Sequence, residues 1–189
     1  PIFVWIEPDG TRYQFHFENA QFMDSRDNPI NPGILREFRN DHPVLSKLFK
    51  SREQFIASDD PGRVINYVKY VSKGRIPSAE PRILENIETA IQYASDIIKG
   101  RWPELEERIL NDENDGPAHA VDYARDVIKG RWPEAEPLIM KSKRGYEPVF
   151  YARDVIKGRW PEAEPHILAT KHGAPVSYAR DVIKGRWPE

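Results

Sequence analysis

The chain has 189 residues, 39% hydrophobic and 31% charged, which is long enough to bury a core without covalent staples and too apolar for a disordered tail. Its 28 basic and 30 acidic residues give a formal net charge of -2, which excludes a polycation held to nucleic acid or anionic membrane by bulk attraction. The absence of cysteine excludes disulfides, thiolate zinc sites and cysteine nucleophiles, and no apolar run approaches the roughly 18 residues of a membrane span. Residues 1–62 carry 7 basic and 10 acidic side chains and the remainder 21 and 20, so neither part is strongly charged. Pro1 reads as the head of a product that has lost its initiator methionine, and with no charged-then-apolar leader the cytoplasm is the expected location.

The first stretch, "IFVWIEPDGTRYQFHFE", alternates apolar and polar residues on both sides of "EPDG", a pattern that predicts a β-hairpin with a Pro-Asp-Gly turn. A loop comes next, in "MDSRDNPINPG". Short helices are expected at Ile34–Asn40, Val44–Phe49 and Arg52–Ala57, with Ser51 and Gln54 as a capping box. Asp60-Pro61 reads as the cap and first residue of the helix that carries Tyr67. Residues 1–62 are therefore read as an atypical α+β cap on one end of the remaining chain.

From residue 63 onward the chain repeats itself. A Lys-Gly-Arg triplet begins at Lys73, Lys99, Lys129, Lys157 and Lys184, with spacings of 26, 30, 28 and 27, and a tyrosine stands six residues before each lysine. These are five related units over residues 63–189, the last cut short at Glu189. The clearest wording, "YARDVIKGRWPEAEP", occurs at 123–137 and again at 151–165. In it Tyr123, Ala124, Val127 and Ile128 mark one helix face, and Gly130 is the expected left-handed residue that ends the helix. Lys129 suits the negative end of the helix dipole. Pro133 opens a second helix, or that helix starts nearer Glu136, because Pro137 would break a helix interior.

Each unit is thus an αα-hairpin. Between hairpins the spacers contain Gly and then Pro at a next helix start, at Pro117, Pro148 and Pro175. Between the first two units, "ILENIETAIQYASDII" has apolar residues at 83, 84, 87, 91, 94, 97 and 98, which would let two helices run together. The expected class is mainly α: tandem αα-hairpins in a short α-solenoid-like stack behind the N-terminal cap.

Two readings compete for the repeated polar and aromatic residues. Trp102, Trp132, Trp160 and Trp187 follow four triplets and Ile76 follows the first. Burying a tryptophan is worth on the order of 4–6 kcal/mol gross, against roughly 0.2–1 kcal/mol for an exposed ion pair. Packing is the simpler reading, and an exposed binding platform is the other. Lys99, Lys129, Lys157 and Lys184 either close helix ends while Arg101, Arg131, Arg159 and Arg186 pair with a carboxylate of their own or a neighbouring unit, such as Asp126 or Glu134, or the two form rows that track an extended anionic ligand such as RNA or an acidic protein segment. The repeated tyrosines read as core residues with satisfied hydroxyls. The five histidines show no metal-ligand spacing, Asp24 and Asp27 lack the glycine and glutamate of a calcium loop, and no phosphate-binding or nucleophile motif is present. No cofactor is expected.

The iterated "VIKGRWPEAEP" wording, over about Tyr67 to Glu189, resembles tandem repeats of uncharacterised bacteriophage proteins. The resemblance implies a phage origin, a helical repeat and an action in the host cytoplasm. The leading expectation is a non-enzymatic module that binds another protein, as an inhibitor of a host factor or defence system or as an assembly or virion scaffold. The alternative is nucleic-acid or nucleotide binding by the Lys-Gly-Arg-Trp rows, and self-association stays open.

Overall fold

Strand β1 (Phe3–Ile6) pairs antiparallel with β2 (Arg12–His16) in the register Phe3↔Phe15 to Ile6↔Arg12. The turn forms as its residues demand: Gly10 takes φ +87°, its N–H bonds the Glu7 carbonyl at 2.9 Å, and Asp9 Oδ1 accepts from Thr11 N–H at 2.8 Å. A third strand, β3 (Gln21–Asp24), pairs antiparallel with β2 where the sequence reading places the start of a loop. Phe22 on β3 is buried and in ring contact with Phe15, which supplies the reason for the added strand. Asp24 serves the turn after it, accepting backbone N–H groups from Arg26 and Asn28 at 2.8 and 2.9 Å.

This is a computed structural model that describes residues 2–17, 21–47, 64–65, 67–68, 74–143, 145–170 and 173–187, with the side chains of residues 32, 44 and 45 excepted. The expected helix at 52–57, the capping box at 51 and 54, the Asp60-Pro61 cap, the boundary at residue 62, the end of the 44–49 helix, Lys73, His172 and Pro188 lie outside the described residues. The chain is mainly helical with the small antiparallel sheet at its N-terminal end. It divides into two compact bodies, Pro1–Ile98 and Lys99–Glu189. No described helix is long and apolar enough to cross a membrane.

In the first body, helix α1 (Pro32–Asp41) starts where Asn31 accepts from Gly33 N–H, and α2 (Pro43–Ser46) comes after it. Leu35 and Phe38 of α1 join Phe15, Phe17, Phe22 and Ile30 in one core cluster, with Trp5, Tyr13, Ile34 and Tyr67 packed against it. The tyrosine of the first repeat thus rests on the sheet-and-helix cluster. A 3₁₀ turn (Pro77–Ala79) leads into α3 (Glu80–Ile83), and α4 (Ile87–Tyr93) begins afresh after it. The two helices do not run together, because Asn86 adopts an extended backbone and its side chain caps α4 by accepting from Thr89 N–H at 2.8 Å.

In the second body the hairpins come in order: α5 (Pro103–Asn111), α6 (Gly116–Tyr123), α7 (Glu136–Met140), α8 (Tyr146–Phe150), α9 (Glu164–Ala169) and α10 (Ala174–Tyr178). One residue decides where each second helix begins. Pro137 and Pro165 have no N–H to give the carbonyl four residues back, so a turn closes instead, with Glu136 N–H on Pro133 O and Glu164 N–H on Pro161 O, both at 3.3 Å. Helices α7 and α9 then start at those glutamates. The second unit has Glu107 at this place, and α5 accordingly runs from Pro103 itself.

The core of this body is written by the repeat. Tyr123, Tyr151 and Tyr178, Ala135 and Ala163, Ile139 and Ile167 are fully buried, and Trp102, Trp132 and Trp160 are 1–2% exposed. In three units the tryptophan lies on the tyrosine of its own unit, at 5.1 Å for Tyr123–Trp132 and 5.0 Å for Tyr151–Trp160 and Tyr178–Trp187. Trp187 is only half-buried. We predict that Trp132→Ala lowers unfolding stability by roughly 3–5 kcal/mol in urea denaturation. Trp187→Ala should cost clearly less, and equal losses would contradict a core centred on the buried rings.

Candidate functional site

The residues after each helix make one arrangement four times. The hydroxyls of Tyr93, Tyr123, Tyr151 and Tyr178 accept the backbone N–H of Ile76, Trp102, Trp132 and Trp160, at 2.9, 2.6, 2.6 and 2.7 Å. The same hydroxyls donate to Oε1 of Glu80, Glu106, Glu136 and Glu164, at 3.2, 2.8, 3.1 and 3.1 Å. Each glutamate in turn receives both Nε and Nη2 of the triplet arginine, in Arg75–Glu80, Arg101–Glu106, Arg131–Glu136 and Arg159–Glu164. The tyrosine comes from the following unit. Arginine, glutamate, tyrosine and a buried peptide N–H therefore form a relay that fastens four corners to the unit that follows each.

The triplet arginines pair with carboxylates as sequence reasoning expects, but chiefly with one it does not name. Asp126 is taken by Arg125, with both contacts at 2.7 Å, and Glu134 only approaches Arg101 of the preceding unit at 3.9 Å. The true partner stands five residues after the arginine in each unit, a constant spacing visible in the sequence. That interval puts the glutamate at the start of the second helix, facing back across the corner. Arg125–Asp126, Arg153–Asp154 and Arg180–Asp181 repeat a second bidentate pair, and Asp154 also feels Arg125 as Asp181 feels Arg153. They line up as an alternating charge ladder on adjoining units.

The left-handed residue of the corner is lysine, not glycine. Lys99, Lys129, Lys157 and Lys184 have φ of 56°, 58°, 60° and 58°. The helix end explains the shift by one residue: Tyr123, Tyr151 and Tyr178 are followed or included by π-helical turns (Ala124–Ile128, Tyr151–Ile156, Ala179–Ile183). In the first of these, Lys129 and Gly130 both donate to the Ala124 carbonyl, and the other two close in the same way. A left-handed non-glycine residue costs roughly 1–2 kcal/mol.

The glycine after the lysine has no such need. A Cβ built on Gly130, Gly158 or Gly185 meets nothing within 4 Å, and none of the three has positive φ. Glycine is required elsewhere, as at Gly116, where a Cβ would lie 2.6 Å from the Ile109 carbonyl. Lys129, Lys157 and Lys184 are exposed and enter no ion pair among the described residues. Arg131 and Arg159 hold their glutamates, Arg186 is exposed, and Trp102, Trp132 and Trp160 offer no face to a ligand. The sequence-derived binding row therefore divides into buried, paired and free members.

The electrostatics of the relay are those of a fastening. Burial pushes the phenols of Tyr93, Tyr151 and Tyr178 up to about 12, and Tyr123 higher still, with the adjacent glutamates adding to the rise. Burial raises Glu106, but the hydrogen bonds from Arg101 and Tyr123 outweigh it and hold its carboxyl below 4.5. Hydrogen bonding from Arg159 does the same for Glu164, aided by Tyr178 and Trp187. No group of three or more metal-ligating side chains occurs among the described residues. No family model, no curated protein and no solved structure matches the chain.

The relay generates two expected outcomes. Tyr151→Phe leaves the Trp132 N–H buried without its acceptor and should cost about 1–3 kcal/mol, whereas Tyr146→Phe should cost far less. The relay should also limit the pH range of stability. Folded carboxyl values depressed below 4.5 mean that this stability is present above 4.5 and is lost as pH falls further. Folded phenol values raised from 10.0 to about 12 mean that stability is lost as pH climbs through that interval. Urea midpoints measured against pH, with phenolate absorbance read in parallel, check both arms.

Proposed function

We propose that the chain is a non-enzymatic helical-repeat module of bacteriophage type that binds another protein, serving as an inhibitor of a host factor or defence system or as an assembly or virion scaffold. The observation that supports a protein partner is the outer edge of the sheet. Strand β1 pairs with β2 on one side, and among the described residues nothing pairs with its other edge. Ile2, Val4 and Ile6 project from one face of it and are 65%, 59% and 57% exposed.

An open strand edge with aliphatic side chains and no lysine or proline between Ile2 and Ile6 lacks the usual protection against pairing. It suits addition of a strand from a partner sheet, where main-chain hydrogen bonds give affinity and alternate side chains give selectivity. The nucleic-acid alternative is left with the lysines, Arg186 and the half-buried Trp187, since its other aromatic and arginine members lie in the core or in ion pairs.

The test is capture from host lysate by the full chain, with and without nuclease. A nuclease-resistant protein complex that is lost in Val4→Lys, with the unfolding midpoint of the free chain unchanged, is the expected result. Complexes that vanish on nuclease treatment would overturn the reading.

A further inference from the structure

The relay and the arginine–aspartate ladder use most of the repeated charged residues, and the lysine and glycine of the triplet belong to neither. Their placement is inverted with respect to backbone preference. Lys129, Lys157 and Lys184 occupy the left-handed position that glycine fills at least cost, while Gly130, Gly158 and Gly185 occupy a position that neither φ nor space reserves for glycine. A left-handed residue kept at a cost, bearing a cation that enters no ion pair among the described residues and followed by a bare backbone, is the pattern of a contact site, where strain fixes a side chain and glycine admits close approach.

We infer that these corners form a row that binds an extended acidic polypeptide with a carboxylate at every third residue. The spacing comes from packing. The π-helical ends of successive units adjoin one another, as do α6, α8 and α10, so each unit advances the row by one helix-packing distance, about 8–10 Å. Three residues of a polyproline II chain advance about 9 Å and bring every third side chain to the same face. One carboxylate per corner then meets one lysine per corner.

A peptide fits this row better than a nucleic acid does. Trp132, Trp160 and the repeated tyrosines are buried, so a base finds no stacking surface at the Lys129 and Lys157 corners, and only the half-buried Trp187 is within reach at the last. Glu134 and Glu162 stand exposed beside the same corners and would repel an unbroken line of phosphates, whereas a peptide presents amide N–H groups between its carboxylates. The anion cannot settle on the helix end itself. The N–H groups of Lys129 and Gly130 that would cradle it are already bonded to the Ala124 carbonyl. The lysine side chains are the donors.

This inference rests on the protein-binding reading and adds the chemistry of a partner segment. The experiment titrates the purified full chain with a synthetic peptide carrying glutamate at every third position between alanine and proline. The same composition with consecutive glutamates, and oligo-thymidylate, are the comparison ligands. The spaced peptide should bind more tightly than the clustered one. Replacing Lys129, Lys157 and Lys184 together by glycine should weaken it roughly 10- to 100-fold while the unfolding midpoint holds or rises. Replacing Gly130, Gly158 and Gly185 together by glutamine should also weaken binding without loss of stability. Unchanged affinity in the lysine variant, no affinity for either peptide, a falling unfolding midpoint, or tighter lysine-dependent binding of oligo-thymidylate would overturn the inference. A nuclease-resistant complex that survives Lys→Gly replacement would sink it while leaving the protein-binding reading intact.

Discussion

Everything in the repeated part of the molecule depends on where one phenol oxygen sits. The backbone N–H after four of the Lys-Gly-Arg corners is buried, and the tyrosine hydroxyl of the next unit accepts it. A buried peptide N–H without an acceptor costs about 1–3 kcal/mol, so a corner that lacks its neighbour is not neutral but unfavourable. The glutamate then holds the phenol proton, and the arginine holds the glutamate. Each unit is incomplete alone, and its missing part is the head of its successor.

That dependence explains why the phrase is copied so literally while the spacers drift. Tyrosine and glutamate act across the boundary between units, so the loss of either leaves the other without its partner. The spacers carry no such coupling, and there the units differ in length from 26 to 30 residues without disturbing the relay. The first unit shows what the relay tolerates. Ile76 replaces tryptophan and still gives its N–H to Tyr93, because the backbone makes the bond and the side chain only fills space. Tyr67, which has no earlier repeat to fasten, packs against the phenylalanine cluster of the sheet.

The mainly helical class, the hairpin at the N-terminal end and the tryptophans in the core were legible because each rests on local periodicity or on bulk. What escaped reading was set by geometry across a gap in sequence. Strand β3 is short and lies beside Asp, Asn and Pro residues, and only the ring of Phe22 against Phe15 makes it a strand. Carboxylates are so frequent around the arginine that the sequence offers Asp126 and Glu134 as readily as Glu136, and only the turn at the corner selects the last. The left-handed residue was assigned to glycine from its intrinsic preference, yet the π-helical end moves that position onto lysine. The glutamate at arginine plus five was visible in every unit; its meaning needed the corner.

The lysine and glycine are set apart by a comparison of the first unit with the middle ones. Between "YVKYVSKGRIPSAEP" and "YARDVIKGRWPEAEP" most helix residues, the tryptophan and the first glutamate change, but Lys-Gly-Arg does not. Duplication alone would have let the lysine drift as freely as its exposed neighbours did, since no ion pair or side-chain hydrogen bond described for Lys129, Lys157 or Lys184 holds it in place. Backbone preference pushes the other way, toward glycine at that position and toward any side chain at the next. A residue that folding alone would exchange for glycine, kept at four described corners, is the observation on which the proposed acidic partner rests.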